Sequence, residues 1–189
     1  IRREERVLLL MQDCNDWPVS FLAAMFAGLV PVAVNTLLTA DDFAYMLENS
    51  RAQAVLVSGA LLPTLTAAMT RSDHEVANVI VSRPLAPLQP TQVDLEVFLQ
   101  AHAPAARPAA TSGDDPGFWL YSSGSTGRPK GALVSHRTLV AFTMSTFYIG
   151  ARRALVEPTT GSAPPGALLA PFPLFHLSGS MGSTTASLA

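Results

Sequence analysis

Short unbroken apolar runs alternate, over the first eighty or so residues, with stretches in which apolar positions recur at helical spacing. Val7–Met11 carries no polar residue, the pattern of a strand buried on both faces. Asp16-Trp17-Pro18 then predicts a helix start, with Asp16 as cap and proline tolerated in the first turn. The rows Trp17/Phe21/Met25 and Leu22/Phe26 make one apolar face of that helix, read as core packing, and Gly28 closes it. Val30–Val34 is a second strand. Thr39-Ala40-Asp41-Asp42 caps a second helix that places Phe43, Met46 and Leu47 together. Ala54–Val57, a helix over Leu61–Met69 and Val79–Val81 complete a β-α-β-α-β-α-β order. Buried-type strands alternating with helices predict an α/β fold, a parallel-type sheet with flanking helices.

The pattern changes between Arg83 and Pro116, where Pro84, Pro87, Pro90, Pro104, Pro108 and Pro116 interrupt regular structure. Residues 83–116 therefore read as a connecting segment with room for one short helix over Val93–Leu99. Phe118–Tyr121 predicts a further strand, Arg137–Ile149 a helix with Leu139, Phe142 and Thr143 on one side, and Ala167–Phe172 another strand. Glu157–Gly166 between them reads as an exposed loop. No internal repeat is visible.

Composition narrows the possible functions. Hydrophobic residues make up 49% of the 189 and charged ones only 14%, so the chain has ample surface to bury and is not a disordered segment. A net charge of −2 lacks the basic footprint that gripping nucleic acid requires. The single cysteine, Cys14, excludes a disulfide framework or a cysteine zinc cluster within the chain and reads as a small buried residue in a reducing compartment, by default the cytoplasm. The most apolar stretch, Phe21–Val34, is broken by Gly28 and Pro31 and falls short of the roughly 20 residues that span a bilayer. The run after the basic N-terminal residues is too short for a secretory leader. No initiator methionine opens the sequence, which predicts a start inside a longer protein.

Candidate chemistry concentrates in Tyr121-Ser122-Ser123-Gly124-Ser125-Thr126-Gly127-Arg128-Pro129-Lys130-Gly131. Glycines permit close approaches and backbone angles that side chains forbid. Hydroxyls, backbone N–H groups and one lysine charge can together wrap phosphate oxygens. Two other glycine motifs fail on spacing. In the Walker loop lysine directly follows its second glycine, whereas Lys130 lies three residues after Gly127; the hydrolase elbow Gly-x-Ser-x-Gly is also absent.

Tyr121–Gly131 resembles the phosphate-binding signature of the adenylate-forming superfamily: acyl- and aryl-CoA synthetases, peptide-synthetase adenylation domains and luciferases. Asp114–Leu120 is similar in particular to the benzoate-type CoA ligases. The early NDWPVSFLAAMFAGLVPVAVNTLLTADDFAYMLENSRAQAVLV stretch resembles their N-terminal region, and Ala170–Gly179 resembles the following family motif. The resemblance spans nearly the whole chain. It implies that residues 1–189 are part of an AMP-binding N-terminal domain whose later motifs and C-terminal domain lie outside this sequence.

The implied reaction has two steps. A carboxylic acid, aromatic or fatty, attacks the α-phosphorus of Mg2+-ATP to give an acyl-adenylate, and coenzyme A then takes the acyl group. The matching residues Ser122, Ser123, Gly124, Ser125, Thr126, Gly127 and Lys130 would hold the β- and γ-phosphates, Lys130 by charge and not as a base. His176, in Phe175-His176, would line the substrate pocket. No residue is assigned a catalytic or metal-binding role. Two alternatives stay open: an adenylation domain that loads a carrier protein, and a non-catalytic binding or interaction module of the same fold. Alone, the chain is expected to lack ligase activity and to expose an apolar edge that favours self-association.

Overall fold

The computed structural model describes residues 1–105, 107–122 and 127–145. In chain order these form β1 (Arg6–Leu10), α1 (Asp16–Phe26), β2 (Val30–Ala33), α2 (Ala40–Ser50), β3 (Ala54–Ser58), α3 (Leu62–Thr70), β4 (Asn78–Ser82), β5 (Gln92–Asp94), α4 (Leu95–Ala101), β6 (Pro116–Ser122) and β7 (Lys130–Ser135). Residues 136–145 are helical and are called α5. The strands join one sheet in the order β5-β4-β3-β1-β2-β6-β7. Every pairing from β5 to β6 is parallel, and only β6–β7 is antiparallel.

The unbroken apolar strands have the burial their composition requires. Successive side chains of a strand point to opposite faces. Leu8 and Leu10 accordingly join one core cluster and Leu9 and Met11 the other. The first cluster packs Val55, Val57, Val79 and Val81 beneath Phe43, Met46 and Leu47 of α2 and Leu65 and Ala68 of α3. The second sets Phe118 and Leu120 against Trp17 and Phe21 of α1. There Trp17 stacks on Phe21 at 5.0 Å, and Phe21 meets Phe118 edge-on at 5.3 Å. Helices thus cover both faces of a mostly parallel sheet, as the alternating pattern predicts.

Local chemistry sets the start of α2 and the end of α1, but not the start of α1. Thr39 and Asp42 form a capping box: the Asp42 N–H donates to Thr39 Oγ1 (3.3 Å) and the Thr39 N–H to Asp42 Oδ2 (3.0 Å). Gly28 takes a φ of +74° just beyond α1, and its N–H donates to the Met25 carbonyl (3.0 Å). Asp16, expected to cap α1, is instead its first residue; Asn15 is at the cap and makes no side-chain bond. The Asp16 carboxylate is engaged elsewhere, accepting from Ser82 Oγ at 2.6 Å and lying 3.4 Å from Arg83 Nε. Phe26, assigned to the apolar face, is 42% exposed because that row runs along the margin of the buried stripe. Cys14 is only half-buried.

The proline-rich stretch holds more structure than its composition suggests. Within residues 83–116 the helix occupies Leu95–Ala101, and the preceding Gln92–Asp94 adds a short edge strand parallel to β4. The predicted loop at Glu157–Gly166, the strand at Ala167–Phe172 and His176 lie outside the described residues.

Candidate functional site

The glycine–hydroxyl segment closes a β-hairpin. β6 leads into it from the sheet and β7 leaves it antiparallel, with Tyr121 opposite Gly131 and Ser122 opposite Lys130. Both ends of the loop are therefore held by a strand pair, where the apolar run Phe118–Tyr121 predicts support on one side only. β6 lies beside β2, and the loop emerges at the carboxyl end of the parallel strands. In open α/β sheets that edge is where ligands bind.

Strand alternation divides the hairpin's side chains between two faces. Trp119 and Tyr121, with their partners Leu133 and Gly131, face α2, consistent with the packing of both aromatics against the first core cluster. Phe118 and Leu120 face α1 in the second cluster, together with Val134. Ser122 and Lys130 belong to this second set. They stand side by side at the hairpin's end, with the Ser122 hydroxyl donating to the Lys130 carbonyl at 3.4 Å. Both are exposed. A hydroxyl-bearing and an amine-bearing residue are thus adjacent at the hairpin's end, residue types suited to anionic oxygens.

The glycines serve different ends. Gly127 has a φ of +100° and open space around the position a Cβ would take, so its backbone conformation is what requires glycine. A Cβ on Gly131 would lie 1.5 Å from Trp119 Nε1, so this glycine makes room for the indole. Gly124 lies outside the described residues, as do Ser123, Ser125 and Thr126. Of the predicted phosphate-binding set, the structure pairs Ser122 with Lys130 and places Gly127 in the loop between them.

The hairpin is fastened at both ends. At its base Arg137 forks onto Asp114, with Nε to Oδ1 at 2.8 Å and Nη2 to Oδ2 at 3.0 Å. Hydrogen bonds from Arg137 hold the Asp114 carboxyl below its ordinary range. Ser112, through its backbone N–H and its hydroxyl, lowers Asp115 likewise, with Arg3 adding to the effect. These aspartates therefore brace the strand pair. Near the loop the Tyr121 hydroxyl donates to Asn49 Oδ1 at 2.8 Å, and burial, with Tyr45 adding to it, pushes its pKa up. The Arg128 guanidinium lies over the Tyr45 ring, 5.2 Å from its centroid.

Sequence reasoning missed β7, Tyr45 and Asn49. β7 is an exposed edge strand whose side chains carry no burial pattern, and the two α2 residues approach the loop only through tertiary packing. His136 is the first residue of α5, one residue before the predicted start at Arg137. Among the described residues no three His, Cys, Asp or Glu side chains are grouped so as to hold a metal ion. No described helix is long and apolar enough to cross a membrane.

Comparison with known proteins gives a consistent result. The family described as AMP-binding enzyme matches residues 1–189. The chain is 38% identical over 136 residues to a 4-hydroxybenzoate–CoA/benzoate–CoA ligase of Rhodopseudomonas palustris, covering 72% of this chain and 24% of that protein. A crystal structure of a benzoate CoA ligase from Burkholderia xenovorans superposes with a TM-score of 0.64 at 45% identity, over 76% of this chain and 26% of that one. The N-terminal domain of FACL13 from Mycobacterium tuberculosis matches all of this chain and 43% of that one, with a TM-score of 0.77 at 25% identity. The chain thus spans about a quarter of the length of the benzoate-type ligases it resembles.

Proposed function

The chain belongs to the AMP-binding enzyme family, and from that premise we propose that it is the phosphate-handling part of the N-terminal domain of an acid–CoA ligase. The complete protein would activate a carboxylic acid with Mg2+-ATP and pass the acyl group to coenzyme A. The names of the similar ligases favour an aromatic acid of the benzoate type. A carboxylate oxygen attacks the α-phosphorus, the bond to the bridging oxygen breaks, and pyrophosphate leaves. The thiol of coenzyme A then attacks the acyl carbon and releases AMP.

The observation that carries this reading is the in-register pairing of Ser122 with Lys130 across the hairpin, with Gly127 at positive φ between them. Negative charge accumulates on the departing pyrophosphate as the bond breaks. Donors held ready for that charge lower the barrier without having to reorganise. Ser122, Ser123, Gly124, Ser125, Thr126, Gly127 and Lys130 would supply them, with Lys130 contributing charge. His176 would line the acid's pocket. The 189-residue chain on its own is expected to release no acid-dependent pyrophosphate, because holding two reactants in line takes surfaces beyond one loop.

The test uses the complete protein that contains this chain. Replacing Lys130, Thr126 and Gly127 with alanine together should lower benzoate-dependent ATP–pyrophosphate exchange by at least about 100-fold, the scale of losing preorganised oxyanion donors. Undiminished exchange in that variant would remove the loop from the chemistry.

A further inference from the structure

α2 reaches the hairpin on both sides of the loop. Tyr45 and Asn49 are four residues apart and so lie on one face of the helix. Asn49 Oδ1 accepts from the hydroxyl of Tyr121, the penultimate residue of β6. The Met46 carbonyl is a second, longer acceptor for that hydroxyl at 3.5 Å. Tyr45 holds the guanidinium of Arg128, two residues before Lys130, over its ring. One helical turn therefore touches the chain just before and just after the segment that carries the hydroxyls.

The sides of the sheet decide what these contacts do. An arginine within a phosphate-binding loop could serve as a phosphate ligand itself. Arg128, however, is held on the α2 side, whereas Ser122 and Lys130 belong to the opposite face by strand alternation. Arginine is also the cation best suited to lying flat on an aromatic ring. We propose that Tyr45 and Asn49 are positioning residues that hold the phosphate-binding loop from behind, with Arg128 as its anchor rather than a phosphate ligand. This rests on the phosphate-binding reading above. Fixing residue 128 sets the direction in which the chain enters β7 at Lys130, and a group held in place before ATP arrives costs less to bind against. The Tyr121 phenol donates to Asn49, and burial, with Tyr45 adding to it, raises its pKa further above neutral pH.

The test measures ATP and pyrophosphate binding to the complete protein by calorimetry, beside the KM values for ATP and for benzoate. Tyr45→Leu and Arg128→Met should each weaken ATP binding about two- to fivefold, the worth of a half-exposed cation–π pair. The double variant should be no worse than the weaker single one, because both remove the same contact. Tyr45→Phe, which keeps the ring, should restore wild-type affinity. Asn49→Ala and Tyr121→Phe should each cost about two- to tenfold and again fail to add. The KM for benzoate should stay constant throughout, which a general loss of structure would not allow. Additive losses, or a weak Arg128→Met protein beside an unaffected Tyr45→Leu protein, would overturn the proposal by showing Arg128 acting directly on phosphate. Wild-type protein that binds neither ATP nor pyrophosphate would overturn the phosphate-binding reading and this inference together. Unchanged variants of a protein that binds ATP would overturn this inference alone.

Discussion

Gly131→Ala isolates the reason for the last glycine of the loop motif. The added Cβ would stand 1.5 Å from Trp119 Nε1, 2.0 Å from Cε2 and 2.3 Å from Cζ2. Ordinary contact begins at 3.4 Å, so the indole would have to retreat by about 2 Å. It is not free to do so: Trp119 stacks on Tyr121 at 5.9 Å, and Tyr121 is hydrogen-bonded to Asn49. Overpacking of this kind costs about 1–3 kcal/mol. For a chain of this size each kcal/mol is worth about 2–4 °C in Tm, so Tm should fall by about 2–12 °C. Thermal and urea unfolding of four proteins resolve the cause: wild type, Gly131→Ala, Trp119→Ala and the double variant. With the indole gone, Gly131→Ala should cost almost nothing, since Gly131 is not among the residues with positive φ. Gly127→Ala is the control. Its expected loss of about 1–2 kcal/mol comes from a left-handed backbone angle and should persist in the Trp119→Ala background. A Gly131→Ala protein as stable as wild type would refute the steric reasoning, as would an equal loss with and without Trp119.

Thr39→Ala removes the hydroxyl that accepts from the Asp42 N–H, and urea unfolding should show a loss of about 1 kcal/mol, with Thr39→Ser retaining most of the stability. Hydrogen bonds from Arg51 and then Gln53 lower the pKa of Glu75 from its ordinary value of 4.5. A depressed carboxylate stabilises the fold fully above its unfolded value, and that contribution is lost as pH falls through the lowered folded value. Urea midpoints measured from pH 6 down to pH 3 should therefore decline more steeply for wild type than for Glu75→Gln, and equal slopes would count against the pairing.

Strands β1 to β4 were legible because each is buried on both faces, so its apolar run is written into consecutive residues such as Val7–Leu10. The capping box of α2 was legible because both partners lie within three residues. The residue types of the loop, three glycines, several hydroxyls and one lysine, stand together in a single segment of the sequence. β5 was not visible, since three half-buried or exposed residues at a sheet edge leave no hydrophobic trace. Asp16 looked like a cap because Asp-Trp-Pro is a good helix start, but Ser82, 66 residues away, takes its carboxylate.

A residue's kind and its near neighbours travel with the chain, and they were enough to identify an α/β architecture and to single out one glycine–hydroxyl segment as the candidate site. Which way that segment faces came from pairing over longer distances. β7 closes it antiparallel, Trp119 claims the space beside Gly131, and Tyr45 and Asn49 approach from a helix more than seventy residues earlier. Local pattern records whether a position is buried. It does not record what a position is buried against, because that depends on where the rest of the fold brings its partner.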